Sequence, residues 1–309
     1  MSRWGLIGDG RWGQALGKRL FANGAEVMMA GLLPRKRAIK GMKYTTSLSD
    51  LLEACERIII SVPIDALEAM LASAGPHLRG DHRILTTTRG LTPETHLRGT
   101  EAIRQMTAIR QLAVLAGAAD AEALKKGSPV ALVVGTAFPS WAREIQNALT
   151  SKSLRVYTNR DLVGVELANV VATVVGVALG IARSLGVGPA AEATAVTRAL
   201  AEMNRVISGL GGRPGTAYGL AGLGVLGEIL YDGTGAAMKA GQALADGDRA
   251  KARGFTEVRA SAETLASRVE RHRIRAPLVE VVRALFRGQI EADEALSQLM
   301  ERPVGPEGH

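Results

Sequence analysis

Cysteine and aromatic residues are scarce in this chain of 309 residues. Cys55 is the only cysteine, which excludes an intrachain disulfide and a metal site built from several cysteines. Aromatic residues make up 4% of the chain, although 47% of its residues are hydrophobic. The core must therefore consist mainly of Leu, Val, Ile and Ala, which suits an α/β protein with a helical partner domain. No metal site is expected.

Long runs of basic residues are also missing. The 38 lysines and arginines exceed the 30 acidic residues and give a formal net charge of +8, but they form no block of five or more. Aromatic side chains are too few to build a platform on which bases would stack, so nucleic-acid binding is not expected. The net positive charge then indicates either a phosphorylated ligand or an arginine-rich surface.

Long hydrophobic runs are absent as well. The longest apolar stretch, around residues 170–181, is too short to cross a bilayer comfortably, and no membrane span is predicted. The first predicted strand begins by the fourth residue, without a signal peptide before it. We therefore expect a cytoplasmic protein.

A glycine motif near the N-terminus organises the rest of the chain. A short apolar strand leads directly into a Gly-x-Gly-x-x-Gly sequence, and a helix-forming segment follows it. In such a turn Gly8 permits the tight bend, Gly10 allows the backbone to approach a pyrophosphate, and Gly13 allows close packing of helix and strand. The helix N-terminus favours phosphate binding. The motif predicts a dinucleotide-binding fold for NAD or NADP.

The end of the second predicted strand bears on the choice between NAD and NADP. After Glu26–Ala30 an NAD site would place a carboxylate that hydrogen-bonds the ribose hydroxyls. This chain has three cations there instead, Arg35, Lys36 and Arg37. They favour NADP, with its extra ribose phosphate. A basic loop in contact with solvent only is the alternative explanation.

Strands alternate with helices as far as about residue 158. Apolar segments at 57–62, 83–88, 112–115, 130–134 and 154–157 read as buried strands, which predicts a doubly wound parallel sheet. From residue 162 the pattern is helical, beginning with a long and nearly uncharged segment at 162–185. The fold class is α/β, with a Rossmann domain (1–158), an all-helical domain (159–302) and a tail (303–309). No linker separates the halves, so a site between them is expected.

The chain resembles NAD(P)-dependent glycerol-3-phosphate dehydrogenase over nearly its whole length. The matching segments are Gly8-Asp9-Gly10-Arg11-Trp12-Gly13, Ser61-Val62-Pro63, Thr88-Arg89-Gly90-Leu91, Val156-Tyr157-Thr158-Asn159, Gly164-Val165-Glu166-Leu167, Thr197-Arg198-Ala199-Leu200-Ala201-Glu202-Met203, Gly219-Leu220-Ala221-Gly222-Leu223-Gly224 and Ala276-Pro277-Leu278-Val279-Glu280. The resemblance implies a Rossmann domain, an all-helical domain and a homodimer.

Several positions depart from the family pattern. The resemblance implies a general-base lysine at a position that is Ala172 here, and a second lysine at a position that is Arg89. Arginine keeps the charge but does not deprotonate in practice. The family aspartate corresponds to Val225. The family's Ser-Arg-Asn phosphate cluster corresponds to Gly235-Ala236-Ala237, and its Gly-Pro-Ser loop to Gly117-Ala118-Ala119-Asp120-Ala121.

These correspondences give the candidate site residues. The predicted cofactor contacts are Gly8, Gly10, Arg11, Trp12, Gly13, Arg35, Pro63, Arg89, Ala121 and Glu257. Arg89 and Gly117 are predicted substrate contacts, and no catalytic residue is assigned. Arg11 allows three outcomes, since it can fill the pyrophosphate space, point to solvent or hydrogen-bond the phosphates.

Three residues near Ala172 are candidates for a replacement base, namely Glu166, Asn169 and Thr173. On a straight helix Glu166 points some 120° away from Ala172. Asn169 and Thr173 do not titrate near neutral pH and are expected to satisfy buried hydrogen bonds. Three functions follow from the sequence. The protein is a relative that binds NAD(P) or a partner, a small molecule or a protein, without redox turnover. Alternatively it is an oxidoreductase active on glycerol 3-phosphate or on a different small carbonyl or alcohol substrate, or a non-catalytic interaction or assembly protein with an empty crevice.

Overall fold

The computed structural model describes residues 2–31 and 40–300, leaving aside the side chain of Met300. The N-terminal half alternates strands and helices. Its elements are β1 (Arg3–Ile7), α1 (Arg11–Ala22), β2 (Glu26–Ala30), β3 (Met42–Thr45), α2 (Leu48–Ala54), β4 (Arg57–Ile60), α3 (Ile64–Ala74), β5 (Arg83–Thr86), α4 (Gly99–Met106), β6 (Gln111–Ala116), α5 (Ala121–Lys126), β7 (Val130–Gly135), α6 (Pro139–Leu149) and β8 (Leu154–Asn159).

The strands form one eight-stranded sheet in the order β3-β2-β1-β4-β5-β6-β7-β8. All neighbouring strands are parallel except β6 and β7, so the prediction of a wholly parallel sheet is wrong at that pair. The reason is the length of α5. Six helical residues span about 9 Å, too little to run back along a six-residue strand of about 20 Å. The chain therefore re-enters the sheet from the end where it left.

Both faces of the sheet are covered. Along β4 the side chains of Ile58 and Ile60 join one hydrophobic cluster, and Ile59 joins the other. This alternation follows from the two-residue period of a strand. On the second face Trp4 stacks on Trp141 with ring centroids 5.4 Å apart. The aliphatic core predicted from composition is thus supplemented by one buried tryptophan pair.

The C-terminal half is helical. Its elements are α7 (Leu162–Ser184), α8 (Pro189–Gly209), α9 (Val225–Asp232), α10 (Ala236–Ala245), α11 (Arg249–Gly254), α12 (Thr256–Arg271), α13 (Pro277–Arg287) and α14 (Ala292–Met300), with a 3-10 turn at Thr216–Tyr218 and a π-helical turn at Leu220–Gly224. Six helices follow residue 224, where the sequence predicted two or three. Glycines with positive φ end two of them, Gly233 (62°) and Gly288 (71°), which divides the segment more finely than its apolar pattern indicates.

Helix α7 is the centre of this half. It is long and apolar enough to cross a membrane by length and composition, but 83% of its most apolar window is buried against the rest of the protein. It is therefore a core helix. Two glycines let α10 approach it closely. A Cβ at Gly180 would collide with the Met238 carbonyl oxygen, and one at Gly241 with the Val177 carbonyl oxygen.

Two of the segments that carry the resemblance meet in this core. The Glu202 carboxylate on α8 accepts hydrogen bonds from the backbone N–H groups of Leu278 (2.9 Å) and Val279 (3.1 Å). These groups lie in the first turn of α13, where backbone donors have no partner inside the helix. Glu202 thus fixes the start of α13, which gives both segments a structural role.

Candidate functional site

The glycine motif lies at the switch point of the sheet, where successive strands are added on opposite sides of β1. The chain leaves β1 toward β2 on one side and β4 on the other, and the loops after β1 and β4 face each other at the carboxyl ends of the strands. In open α/β sheets this is where ligands bind. Gly8 has a φ of 108°, and a Cβ there would collide with the Ser61 carbonyl oxygen. The two loops can approach only because residue 8 is glycine.

Gly10 and Gly13 complete the turn into α1. Gly10 precedes the helix with φ −63° and ψ 172°, and a Cβ there would have nothing within 4 Å. The Gly8 carbonyl oxygen lies where a Cβ of Gly13 would be. Gly10 therefore keeps an approach from the crevice open, and Gly13 allows the helix to pack on the strand. Since the first turn of α1 carries no acidic residue, the loop fits an anionic diphosphate.

A crevice of about 1030 Å³ opens over this loop. The polar and charged side chains that line it come from the loops after β1, β4, β5 and β6 and from α1, α5, α9 and α12. The lining residues are Gly10, Arg11, Trp12, Gly13, Gln14, Ala15, Lys18, Arg19, Ala22, Ser61, Val62, Pro63, Ile64, Thr87, Thr88, Arg89, Ala119, Asp120, Ala121, Glu122, Leu124, Lys125, Glu228 and Glu257.

Eight of the ten predicted cofactor contacts are in this lining, namely Gly10, Arg11, Trp12, Gly13, Pro63, Arg89, Ala121 and Glu257. Gly8 is not among the lining residues and packs against the loop after β4. Arg35 lies outside the described residues. Gly117 is placed away from the lining, and a Cβ there would come within 3.1 Å of the Ala131 carbonyl oxygen of β7. Its predicted substrate contact is therefore not supported by its position. The side chain of Arg11 is exposed, and the three outcomes for this residue stay predictions.

Two of the charged residues that line the crevice come from different halves of the chain and interact electrostatically. Arg89 follows β5, and Glu228 lies on α9. Burial raises the pKa of the Glu228 carboxyl, whereas the charge of Arg89 lowers it. Burial likewise lowers the pKa of Arg89, opposed by Glu228 and Glu257. The Arg89 side chain is nonetheless exposed to the crevice, and a guanidinium remains charged throughout the physiological range.

Glu228 is a site residue that the sequence analysis missed. It is the one charged residue in Val225-Leu226-Gly227-Glu228-Ile229-Leu230, directly after the Gly219–Gly224 segment that matches the family. A carboxylate in an otherwise apolar helix segment was the available signal.

The position at which the resemblance implies a general-base lysine lies inside the packed core. Ala172 is 0% exposed. Gly176, one turn further along α7, has Ala237 and Ile229 directly beside it, and a Cβ at Gly176 would lie 2.9 Å and 3.1 Å from their side chains. Val225 is buried as well. Apolar groups thus occupy the surroundings where the resemblance implies a lysine, an aspartate and an anion-binding cluster.

The alternative base Glu166 is fully engaged in hydrogen bonds. Its Oε2 accepts from Arg98 Nη1 (2.7 Å) and Thr100 Oγ1 (2.5 Å), and its Oε1 accepts from the Thr100 backbone N–H (2.9 Å). The side chain is 3% exposed. Glu166 therefore joins α7 to α4 and has no lone pair directed at the crevice.

The other two candidates behave differently from each other. Thr173 Oγ1 donates to the Asn169 carbonyl oxygen (3.1 Å), which agrees with the expected buried hydrogen bond. The Nδ2 of Asn169 has no hydrogen-bond partner among the described residues, although Asn169 is buried. Neither side chain supplies a base.

A second cavity, of about 450 Å³, lies between β7, β8 and the turns that precede α9. Its lining consists of Ala131, Val133, Tyr157, Thr158, Asn159, Val165, Thr216, Gly219, Leu220 and Ala221. No charged side chain is among these residues. We therefore place the candidate site in the larger crevice, where the glycine loop and the charged residues lie.

The chain also matches models and members of a known protein family. The family model for the N-terminus of NAD-dependent glycerol-3-phosphate dehydrogenase matches residues 30–142, and the model for its C-terminus matches residues 161–297. A glycerol-3-phosphate dehydrogenase (NAD(P)+) of Koribacter versatilis is 30% identical over 98% of both chains. One of Sodalis glossinidius is 35% identical over 72% of this chain and 71% of its own.

A solved structure extends the match to three dimensions. The crystal structure of glycerol-3-phosphate dehydrogenase from Coxiella burnetii has a TM-score of 0.88 and 26% identity, and the match covers 97% of this chain and 99% of that one. Both halves of the chain therefore match in sequence and in fold, and the chain belongs to the NAD-dependent glycerol-3-phosphate dehydrogenase family.

Proposed function

We propose that this protein binds NAD or NADP in the crevice over Gly10 and does not turn over glycerol 3-phosphate or dihydroxyacetone phosphate. The observation that carries the proposal is the buried methyl group of Ala172, at the position where the resemblance implies the family's base. A methyl group cannot accept a proton. One turn further along α7, Gly176 lies against Ile229 and Ala237, which offer no charge to a phosphate.

Three features support dinucleotide binding. Gly10 leaves the backbone open to a diphosphate, the N-terminus of α1 points its unpaired N–H groups toward that space, and the crevice is large enough for an extended ligand. Gly10, Gly13 and Trp12 would hold the diphosphate half, and Pro63 and Arg89 would lie at the nicotinamide half. The bound nicotinamide would supply a hydride acceptor or donor.

The size of the missing catalytic and binding contributions argues against turnover of a phosphorylated substrate. A positioned acid–base group contributes about 10²–10⁴ in rate. A charge-assisted hydrogen bond to a phosphate contributes about 1.5–3 kcal/mol of anchoring. Arg89 keeps one cation for an anionic ligand, but Glu228 places a carboxylate near it. The missing base and the weaker anchoring of phosphate both reduce turnover of glycerol 3-phosphate.

A second candidate is an oxidoreductase that acts on a different substrate. The observation that favours it is Glu228, a carboxyl group whose pKa burial raises and which lines the crevice. A carboxyl group in such surroundings can exchange a proton with a hydroxyl or carbonyl oxygen. The third alternative, an assembly protein with an empty crevice, has no such observation in its favour.

Two measurements separate these functions. Equilibrium titration of NADPH fluorescence should show saturable binding, and its absence would leave only the assembly protein. NADPH consumption should not exceed the background rate with dihydroxyacetone phosphate. Consumption with any member of a panel of unphosphorylated carbonyl compounds would favour the second candidate. Cytoplasmic location, a homodimer and the choice of NADP over NAD stay predictions from the sequence and the resemblance.

A further inference from the structure

The side chains of Arg89 and Glu228 both line the crevice, and neither makes a hydrogen bond or ion pair with another described residue. They are close enough for each to influence the pKa of the other, yet no ion pair joins them. A guanidinium carries five donors and a carboxylate accepts several hydrogen bonds. Folding therefore leaves an unpaired cation and an unpaired anion directed at one space.

The charge balance around this space limits what can enter. Glu257 and Asp120 also line the crevice, where the charge of Glu257 acts on Arg89 and that of Asp120 acts on Glu228, so the pair has two further carboxylates near it. Asp120 accepts the backbone N–H of Ala123 (2.6 Å) as the cap of α5, which holds its charge in place. A phosphate dianion bound to Arg89 would face repulsion from all three carboxylates. A ligand that carries one negative and one positive charge avoids this penalty.

We propose that this part of the crevice binds a small zwitterion of the amino-acid class, with its carboxylate on Arg89 and its ammonium group on Glu228. The inference rests on the proposed function, because it places the ligand beside a bound dinucleotide. It deepens that function by naming the chemical class of the second ligand.

The chemistry of each residue suits its half of such a ligand. The planar guanidinium of Arg89 matches a carboxylate with two parallel hydrogen bonds, which a lysine at this position would not provide. Glu228 is partly buried and its ionised form is poorly compensated by the protein, as the raised pKa of its carboxyl indicates. An ammonium group would supply the missing counter-charge. Loss of either contact leaves the other charge unpaired, so both should matter.

Isothermal titration of the full chain, saturated with NADP+, tests this inference. The probes are glycine, β-alanine and 4-aminobutyrate, which span three separations between amine and carboxylate. Glycolate lacks the amine, ethanolamine lacks the carboxylate, and glycerol 3-phosphate carries the family's phosphate. At least one amino acid should bind at least tenfold more tightly than glycolate, ethanolamine and glycerol 3-phosphate.

Variants connect that binding to the two residues. Glu228→Gln should weaken the preferred amino acid at least tenfold and leave glycolate unchanged or tighter, because the repulsion of its carboxylate is removed. Arg89→Gln should weaken both. Glu280→Gln, an exposed substitution of the same kind on α13 outside the crevice lining, should change neither affinity.

The outcomes separate this inference from the proposed function. If NADPH binds and dihydroxyacetone phosphate is not reduced, but no amino acid binds or Glu228→Gln leaves its affinity unchanged, the zwitterion site is refuted and the proposed function stands. Equal binding of glycolate and the amino acids also refutes it. If dihydroxyacetone phosphate is reduced at an ordinary rate, the proposed function fails, whichever amino acid binds.

Discussion

Gly10 and Gly13 lie three residues apart in one turn but face opposite surroundings. A Cβ on Gly10 would have no atom within 4 Å, whereas one on Gly13 would meet the carbonyl oxygen of Gly8. The first glycine therefore serves the crevice, and the second serves the packing of α1 against β1. Substituting each by alanine separates ligand binding from folding.

Gly10→Ala should weaken NADPH binding by at least tenfold without destabilising the fold. The φ of −63° suits alanine, and the reduced entropy of the unfolded chain offsets the lower preference for alanine at a helix N-cap, so its thermal midpoint should change little. Gly13→Ala should instead lower stability by about 1–3 kcal/mol, because a methyl group is forced against the backbone. Fluorescence titration and thermal unfolding measure both effects. Unchanged NADPH affinity in Gly10→Ala would contradict a diphosphate at this loop.

Restoring a lysine at position 172 should not restore turnover. Ala172→Lys introduces an amine at a fully buried position beside apolar residues, so it should fail to support dihydroxyacetone phosphate reduction above about 1 s⁻¹. It should also destabilise the protein by about 1–3 kcal/mol or more, since both volume and an unpaired charge are added.

Ala172→Met is the matched control, because methionine has similar length and no charge. Its destabilisation should be smaller than that of lysine, and the difference measures the cost of the charge. Strong reduction of dihydroxyacetone phosphate by Ala172→Lys alone would show that the phosphate site is intact.

Glu166→Gln tests whether this carboxylate is structural. The substitution removes the counter-charge of buried Arg98, which keeps only its partner Glu101. Breaking a buried ion pair costs about 3–5 kcal/mol, and the remaining pair should reduce this to about 2–4 kcal/mol. Urea unfolding measures the loss. NADPH affinity of the folded variant should match that of the native chain, and a loss of affinity without a loss of stability would point to a role in the crevice.

The pH dependence of stability should reveal a second carboxylate in the same network. Burial acts to raise the pKa of Glu101, but the hydrogen bond from Arg268 and the charge of Arg98 outweigh it and lower the pKa from 4.5 to about 2. Because the folded pKa is the lower one, the carboxylate stabilises the fold above pH 4.5, and this contribution disappears as the pH falls from 4.5 toward 2.

After allowance for solvent screening the contribution is about 2 kcal/mol. Glu101→Gln should therefore unfold more easily at pH 7 and lose less stability than the native chain between pH 5 and pH 2. Urea midpoints across this range provide the measurement. Glu280→Gln should keep the native acid slope, and an unaltered slope in Glu101→Gln would assign the acid transition to other carboxylates.

The predictions from sequence were most accurate at positions where a residue type has a single structural role. The turn at Gly8 needs a positive φ, and Ser47, a residue type that favours helix N-caps, caps α2, with its Oγ accepting the Asp50 backbone N–H at 3.2 Å. The uncharged run that became α7 was predicted to within one residue at its C-terminal end. Boundaries were poorer where glycines, rather than polarity, end a helix.

Local sequence patterns do not predict which distant segments of the chain pair with each other. Strand β3 is short and only partly buried, so its pattern is weak, and its pairing with β2 was missed. The antiparallel step at β6 and β7 depends on how far α5 can reach, which apolar periodicity does not encode. Arg98, Glu166 and Arg268 are far apart in sequence, and no spacing pattern predicts that they share one network with Glu101.

The sequence by itself determined the dinucleotide loop and the helical second half, and it predicts a methyl group where the resemblance implies an amine, because each is a property of one residue or one local period. Only the tertiary structure decided that Glu228 and Arg89 line one crevice, that Gly117 packs on β7, and that the Glu166 carboxylate accepts hydrogen bonds from Arg98 and Thr100. These facts depend on which distant segments fold together, since a side chain's partners are set by the packing of the whole chain.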